Sequence, residues 1–323
     1  MKNIGIGHQC LMLDLKSLKD LRQTRNRTRP MLHRKKNRWL YGCIAFLTAI
    51  SINLATPAVS QAGWLDNILR GVLIWGVQSY QISNLSDADE MDFGKQIHNE
   101  IIGSGQGQVQ LYKNSNVSNY IEDIGERLAE NSSRPGIDYK FYVVDDDSIN
   151  AFATMGGFTY VNTGLIEAAA NEAELASVIG HEIAHIEEKH SLDQMKAQAR
   201  NQGILAATGL DSSQIVQLGV AIAFDFPHSR NDEREADDVG FELLTSAGYA
   251  PDAMASFMTT LMNESGGGGG ASFLSTHPGT QERVTTLQQN ADDYVADSSY
   301  TKGSYHDIGL NQQHYLNKIS PLG

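Results

Sequence analysis

His181 and His185 stand four residues apart, with Glu182 directly after the first, in the stretch GHEIAHIEEKH at 180–190. On a helix, residues at i and i+4 share a face. Two imidazoles so placed can bind one cation, and Glu182 can reach a water held beside it. His-Glu-x-x-His is the arrangement of zinc hydrolases: two ligands and a general base. In a chain with 10 His the bare pattern arises by chance in about one or two sequences per hundred. The rest of a metal site therefore has to be found elsewhere.

The setting favours chemistry. The two histidines and the glutamate interrupt an apolar face formed by Leu175, Val178, Ile179 and Ile183. Burying them together is costly without a partner, and a cation supplies one. A catalytic zinc needs a third protein ligand and one open position. His190 lies five residues beyond His185, off the shared face, and reads as a surface residue or as a neighbour that supports a ligand. The segment SRNDEREADDVG at 229–240 offers Glu233 and Glu235. Glu233 and Asp237 share a face at i, i+4, whereas Glu235 points away from it.

These residues need a scaffold. Residues 171–200 read as one long helix with Asn171 as N-cap and acids in its first turn. Further helices are expected over 86–102, 116–132, 212–224, 230–248 (stopped by Gly248) and 252–264. Two strands are expected, at 139–146 and 156–164. Helices, a short strand pair and more helices give an α+β fold, mostly helical, with a small β-sheet. The domain is expected over 86–290, with a polar C-terminal tail at 291–323.

Charge divides the chain. Residues 1–62 hold 11 of the 25 Lys and Arg but only 2 of the 38 Asp and Glu. Beyond residue 62 this leaves 14 basic and 36 acidic residues, a formal charge of −22. Such a body repels polyanions, so nucleic acid is excluded as a partner. The basic cluster RKKNR at 34–38, the apolar run at 39–52 and small residues at Ala58, Ser60 and Ala62 read as a signal peptide cleaved near Ala62, or after Ser60. The alternative is an uncleaved anchor, and Met31 is a second candidate start. Both cysteines, Cys10 and Cys43, fall in this segment. The mature chain then has no disulfide framework and no thiolate ligand or nucleophile. Residues 64–80 within 63–85 form an amphipathic pattern, either a helix packed on the domain or a peripheral membrane contact.

The sequence resembles peptidase family forty-eight, the gluzincins that include the CAAX prenyl protease and soluble exported quality-control proteases. Four segments carry the likeness in order over roughly 85–290: NAFATMGGFTYVNTGLI at 150–166, HEIAH at 181–185, SRNDEREAD at 229–237 and STHPGTQERV at 275–284. The resemblance implies a zincin-like fold with one Zn2+ per chain. It implies that Glu233 is the third ligand and Asp237 its supporting acid. It implies that His277 either lies over the metal and holds the enzyme latent, or packs beside the site. Arg230 and Arg283 become candidates for structural carboxylate pairs or a substrate-carbonyl contact. Phe158, Thr159, Tyr160 and Val161 become the active-site edge strand that pairs with an extended substrate. The chain lacks the multiple spans of the membrane-embedded members, which argues against prenyl-protein cleavage, and reads as a short exported form.

The implied function is a zinc metalloendopeptidase acting on unfolded or misassembled proteins in the periplasm or an equivalent lumen. The alternative is a latent zinc-dependent, chaperone-like binding protein with little turnover. Nothing in the pattern specifies an oligomeric state.

Overall fold

The structure, a computed structural model, describes residues 82–103, 109–201, 210–265, 273–297 and 308–322. The expected leader, the amphipathic stretch 64–80 and the glycine run 266–270 lie outside the described residues. After a 3-10 turn at Ile82–Asn84 come α1 (Asp87–Ile101) and α2 (Ser115–Ala129). Three strands follow: β1 (Lys140–Val144), β2 (Ala151–Thr154) and β3 (Phe158–Asn162). Then come α3 (Thr163–Ala168), α4 (Glu172–Glu187), α5 (His190–Asn201), α6 (Ser212–Asp225) and α7 (Arg230–Ser246). The chain closes with α8 (Ala253–Ser265), α9 (Phe273–Thr276), α10 (Gln281–Ala296) and α11 (Gln312–Ile319). Among the described residues no helix is long and apolar enough to cross a membrane.

The α+β expectation holds, with one strand more than the sequence suggested. The sheet runs in the order β1-β3-β2. β3 pairs parallel with β1, Lys140 opposite Phe158, and antiparallel with β2, Ala151 opposite Val161. Strand β2 reads AFAT, too short and alanine-rich to show a strand pattern. Its presence changes the role of β3. Phe158, Thr159, Tyr160 and Val161 lie in the central strand, all buried, with neighbours on both sides. They are not the edge strand; β2 is.

Alternation along the strands separates the two faces. Phe141, Val143 and Val161 join the core that α2 and α4 complete. On the opposite face Tyr142, Phe152 and Tyr160 stack against His98 of α1 and Phe224 of α6. Helix α4 is buried on nearly every side, as a helix at the centre of a domain must be. Asn171 caps it by accepting from the Glu174 N–H.

The expected long helix over 171–200 breaks after Glu187. Lys189 adopts φ 59° and its Nζ pairs with Asp87 at 3.0 Å and Glu90 at 2.6 Å. Arg134 donates to the terminal carbonyl of Ile186 and to the same two carboxylates. These ion pairs, of which Arg134–Glu90 is buried, hold a non-glycine residue in a left-handed conformation that costs about 1–3 kcal/mol.

Helix α7 begins with a capping box between Ser229 and Asp232. It ends at Gly248, φ 86°, where Gly248 and Tyr249 N–H groups bond to the Thr245 and Leu244 carbonyls in a Schellman closure. Of the stretch 291–323, the described residues 291–297 and 308–322 include helical segments packed on the domain. Ala291, Tyr315 and Ile319 join the core, and the Tyr315 hydroxyl donates to the Ile166 carbonyl. The segment is polar as expected, and only Tyr315 and Ile319 on one face of α11 are buried.

Candidate metal centre

Helices α4 and α7 cross at Gly240. A Cβ there would stand 3.1 Å from both the Cα and the N of His181, so any larger residue would push the two helices apart by a few tenths of an ångström. The crossing brings two turns of α7 against the histidine face of α4. Glu233 Oε2 lies 3.6 Å from His181 Nε2, and Glu233 Oε1 lies 3.6 Å from His185 Nε2. The two Nε2 atoms are 3.1 Å apart. All three residues are buried.

His277, at the end of α9, joins them from the other side. Its Nδ1 is 3.1 Å from Glu233 Oε1 and its Nε2 is 3.5 Å from Glu182 Oε1. His181, His185, Glu233 and His277 each offer a ligand atom, all within 4.8 Å of one another. The donor set fits a first-row transition cation: imidazoles and one carboxylate. The separations of 3.1–3.6 Å match the edge of about 3.4 Å that bonds of about 2.0–2.1 Å give a tetrahedron. One oxygen of Glu182, fully buried, has no hydrogen bond among the described residues. A buried polar atom left so is costly, and it is aimed at the same cluster.

Electrostatics agree with these roles at Glu182, Glu233 and His185; at His181, burial lowers the ring but Asp237 and Glu233 outweigh it and raise it to about 9 in the metal-free protein. Burial pushes the Glu182 carboxyl up, and the nearby histidines only partly offset it. A raised carboxyl suits proton transfer near neutral pH. Burial also pushes Glu233 up, but His277 and His181 outweigh it and hold the carboxyl well below the usual range. Burial, with His228 next, drives His185 well below its ordinary value, so it is neutral and keeps a lone pair to donate.

Around this set stands a second layer of partners. Asp237 Oδ1 is 3.2 Å from His181 Nδ1. Arg283 donates twice to Asp237, at 2.7 Å each, and to Glu233 Oε2 at 2.6 Å. Of its two expected roles, Arg283 therefore takes the structural one. Arg230 does not enter the site: it is exposed at the first turn of α7 and forms no ion pair among the described residues.

Of its two expected readings, His190 takes that of a neighbour that supports a ligand, while His228 joins the site with no such expectation. His190 is buried, not a surface residue, with its Nδ1 2.8 Å from His185 Nδ1. The break at Lys189 turns α5 back, so helical spacing no longer governs where His190 goes. Glu235, off the ligand face as expected, reaches His190 Nε2 at 3.3 Å. His228, in the loop before α7, lies flat on His185 with centroids 3.9 Å apart. Burial and the charge of His277 lower its pKa to about 2. No spacing rule ties His228 to the motif; only a Pro-His pair ahead of the Ser229 cap marks the loop.

The outer edge of β2 borders this centre. The Asn162 N–H donates to the Asn150 carbonyl, so in an antiparallel ladder residues 150, 152 and 154 face β3. Backbone groups of Ala151 and Ala153 therefore point away from the sheet. The Ala153 N–H bonds to Glu182.

Residues 115–291 match the sequence model of peptidase family M48. The beta-barrel assembly-enhancing protease of Escherichia coli (strain K12) is 27% identical over 255 residues, 71% of this chain and 51% of that protein. Metalloprotease YcaL of the same strain is 30% identical over 221 residues, 66% of this chain and 84% of the relative. The mitochondrial metalloendopeptidase OMA1 of Schizosaccharomyces pombe is 29% identical over 174 residues, 53% of this chain and 52% of that protein. The chain thus spans about half the length of the first and third of these relatives.

Proposed function

Since the chain belongs to peptidase family M48, we propose that it is a zinc-dependent endopeptidase acting on unfolded or misassembled proteins. The observation that carries this reading is the buried cluster of His181, His185 and Glu233 with Glu182 beside it. His181, His185 and Glu233 hold the zinc, and Asp237 and Arg283 orient two of those ligands. When bound, zinc supplies Lewis acidity that lowers the pKa of water and polarises the scissile carbonyl. Glu182 takes the proton of the attacking water and returns it to the leaving amine. The outward backbone groups of Ala151 and the Ala153 carbonyl are positioned to add an extended substrate to β2 as a further strand. Backbone pairing of this kind requires an unfolded segment and reads little sequence.

The beta-barrel assembly-enhancing relatives and the leader pattern of residues 1–62 support a quality-control role in an exported compartment such as the periplasm. A second reading rests on His277, which stands between Glu233 and Glu182. There it takes the fourth ligand position and keeps the enzyme latent, so that the protein holds clients with little turnover until the α9 segment moves.

One assay separates these readings. Purified protein is incubated with unfolded casein, with and without a chelator, beside Glu182→Gln and His277→Ala. Chelator-sensitive cleavage lost in Glu182→Gln supports the endopeptidase, and gain in His277→Ala supports latency. No cleavage by wild type or His277→Ala, with zinc bound, would leave the binding reading.

A further inference from the structure

A cavity of about 330 Å³ opens between α1 and the start of β1, within the size range of small-ligand sites. It lies on the face of the sheet turned away from α4 and shares no residue with the metal centre. Its floor is aromatic. The ring of His98 stacks on Tyr142 at 4.4 Å and on Phe158 at 5.0 Å, and Met91 of α1 lines the wall beside them.

His98 is only 9% exposed. Its Nδ1 lies 2.8 Å from the hydroxyl of Tyr160, itself fully buried. A buried phenol proton without an acceptor is costly, and His98 Nδ1 is the acceptor beside it. The hydroxyl therefore donates to Nδ1, and the ring carries its own proton on Nε2. Burial holds the ring below its ordinary pKa, so it stays a neutral donor. Its Nε2 has no hydrogen-bond partner among the described residues. Nor is that nitrogen sealed from solvent, so it opens onto the cavity that the ring lines.

The charge at the mouth is unusual for this chain. Lys95 meets Asp92 only at 4.0 Å, with its side chain 63% exposed. Lys140 is paired with Asp138 at 2.8 Å. Two lysines against one aspartate leave the lining one positive charge, in a body whose residues beyond 62 sum to −22.

We propose that this cavity binds a small organic acid, with one carboxylate on a flat apolar body. The carboxylate accepts from His98 Nε2–H and meets the Lys95 ammonium. The body lies against the rings of Tyr142 and Phe158 and the Met91 thioether, which favour a flat aromatic partner. One neutral donor and one loosely paired ammonium match a monoanion; a phosphate dianion would leave charge unmet. The site stands apart from the endopeptidase reading and does not depend on it.

Purified protein, isotope-labelled at its methionine methyl groups, tests this by nuclear magnetic resonance. It is titrated with phenylacetate, cinnamate, acetate and phenethylamine. Acetate keeps the charge without the ring, and phenethylamine keeps the ring with the opposite charge. Met91 reports on the cavity, whereas Met254 and Met258, which line the wall beside His181 and Phe273, report on the metal centre. The two aromatic acids are expected to shift Met91 saturably and to leave Met254 and Met258 in place. They should bind about tenfold tighter than acetate or phenethylamine. Lys95→Gln, at an exposed position, should weaken them about fivefold, and a thermal melt establishes that the variant is folded. No saturable shift of Met91 with either acid, or a shift confined to Met254 and Met258, overturns the proposal. Equal binding of phenethylamine, or an unchanged affinity in Lys95→Gln, overturns it as well.

Discussion

His185 Nδ1 and His190 Nδ1 lie 2.8 Å apart in the buried interior. Two ring nitrogens this close share one proton. Glu235 Oε2, 3.3 Å from His190 Nε2, accepts from that nitrogen, so His190 Nδ1 is the acceptor and His185 Nδ1–H the donor. His185 Nε2 is then left with its lone pair toward the ligand cluster. Replacing His190 with Phe should weaken zinc binding by about 10–100-fold. Competition against a chromogenic chelator measures it, and an unchanged affinity would remove His190 from the site.

Glu182→Gln keeps the shape of the side chain but cannot take a proton. Peptide hydrolysis should fall by about 10²–10⁴-fold, while zinc content stays at one per chain. Loss of the metal together with the activity would assign Glu182 to ligation rather than proton transfer.

Arg283 neutralises two buried carboxylates at once, Asp237 and Glu233. Arg283→Met fills similar space and leaves both carboxylates with only their histidine neighbours. Metal-free protein should lose about 3–5 kcal/mol of stability, seen in chemical denaturation. A loss under about 1 kcal/mol would show that the carboxylates find other partners.

The C-terminal helix α11 is held by Tyr315, fully buried. Tyr315→Ala should cost about 3–5 kcal/mol and lower the melting temperature, although residue 315 is far in sequence from every ligand. A neutral result would return 291–323 to the status of a tail.

Asp87 titrates below its ordinary value because Lys189, and then Arg134, hydrogen-bond its carboxylate. A depressed carboxyl contributes stability above its unfolded pKa, and this is lost as pH falls through the folded value. Asp87→Asn should therefore lower the melting temperature at pH 7, and the difference should begin to shrink below about pH 4 and close as pH falls through the lowered folded value. A difference that persisted in acid would mean packing, not charge, is what the substitution removes.

Much of the site was legible before any fold was known, because it is written in local spacing. The i, i+4 rule put His181 with His185, and Glu233 with Asp237, on shared helical faces, and the cap at Asn171 marks where the first of those helices starts. What local spacing cannot express is where one element lies against another. Gly240 lets α7 touch α4, which brings Glu233 and Asp237 to the histidines. The ion pairs at Lys189 break a helix that propensity would continue, and so bury His190. Pairing across the sheet makes β2 the edge and β3 the centre, a choice made by tertiary contacts of the short segment AFAT. His228 and Phe273 reach the centre on loop and short-helix segments with no periodicity at all. The sequence by itself determined the ligand types and the helices that carry them, since both follow from neighbours within a few residues. Only the tertiary structure decided which groups surround them, since those contacts join residues tens of positions apart.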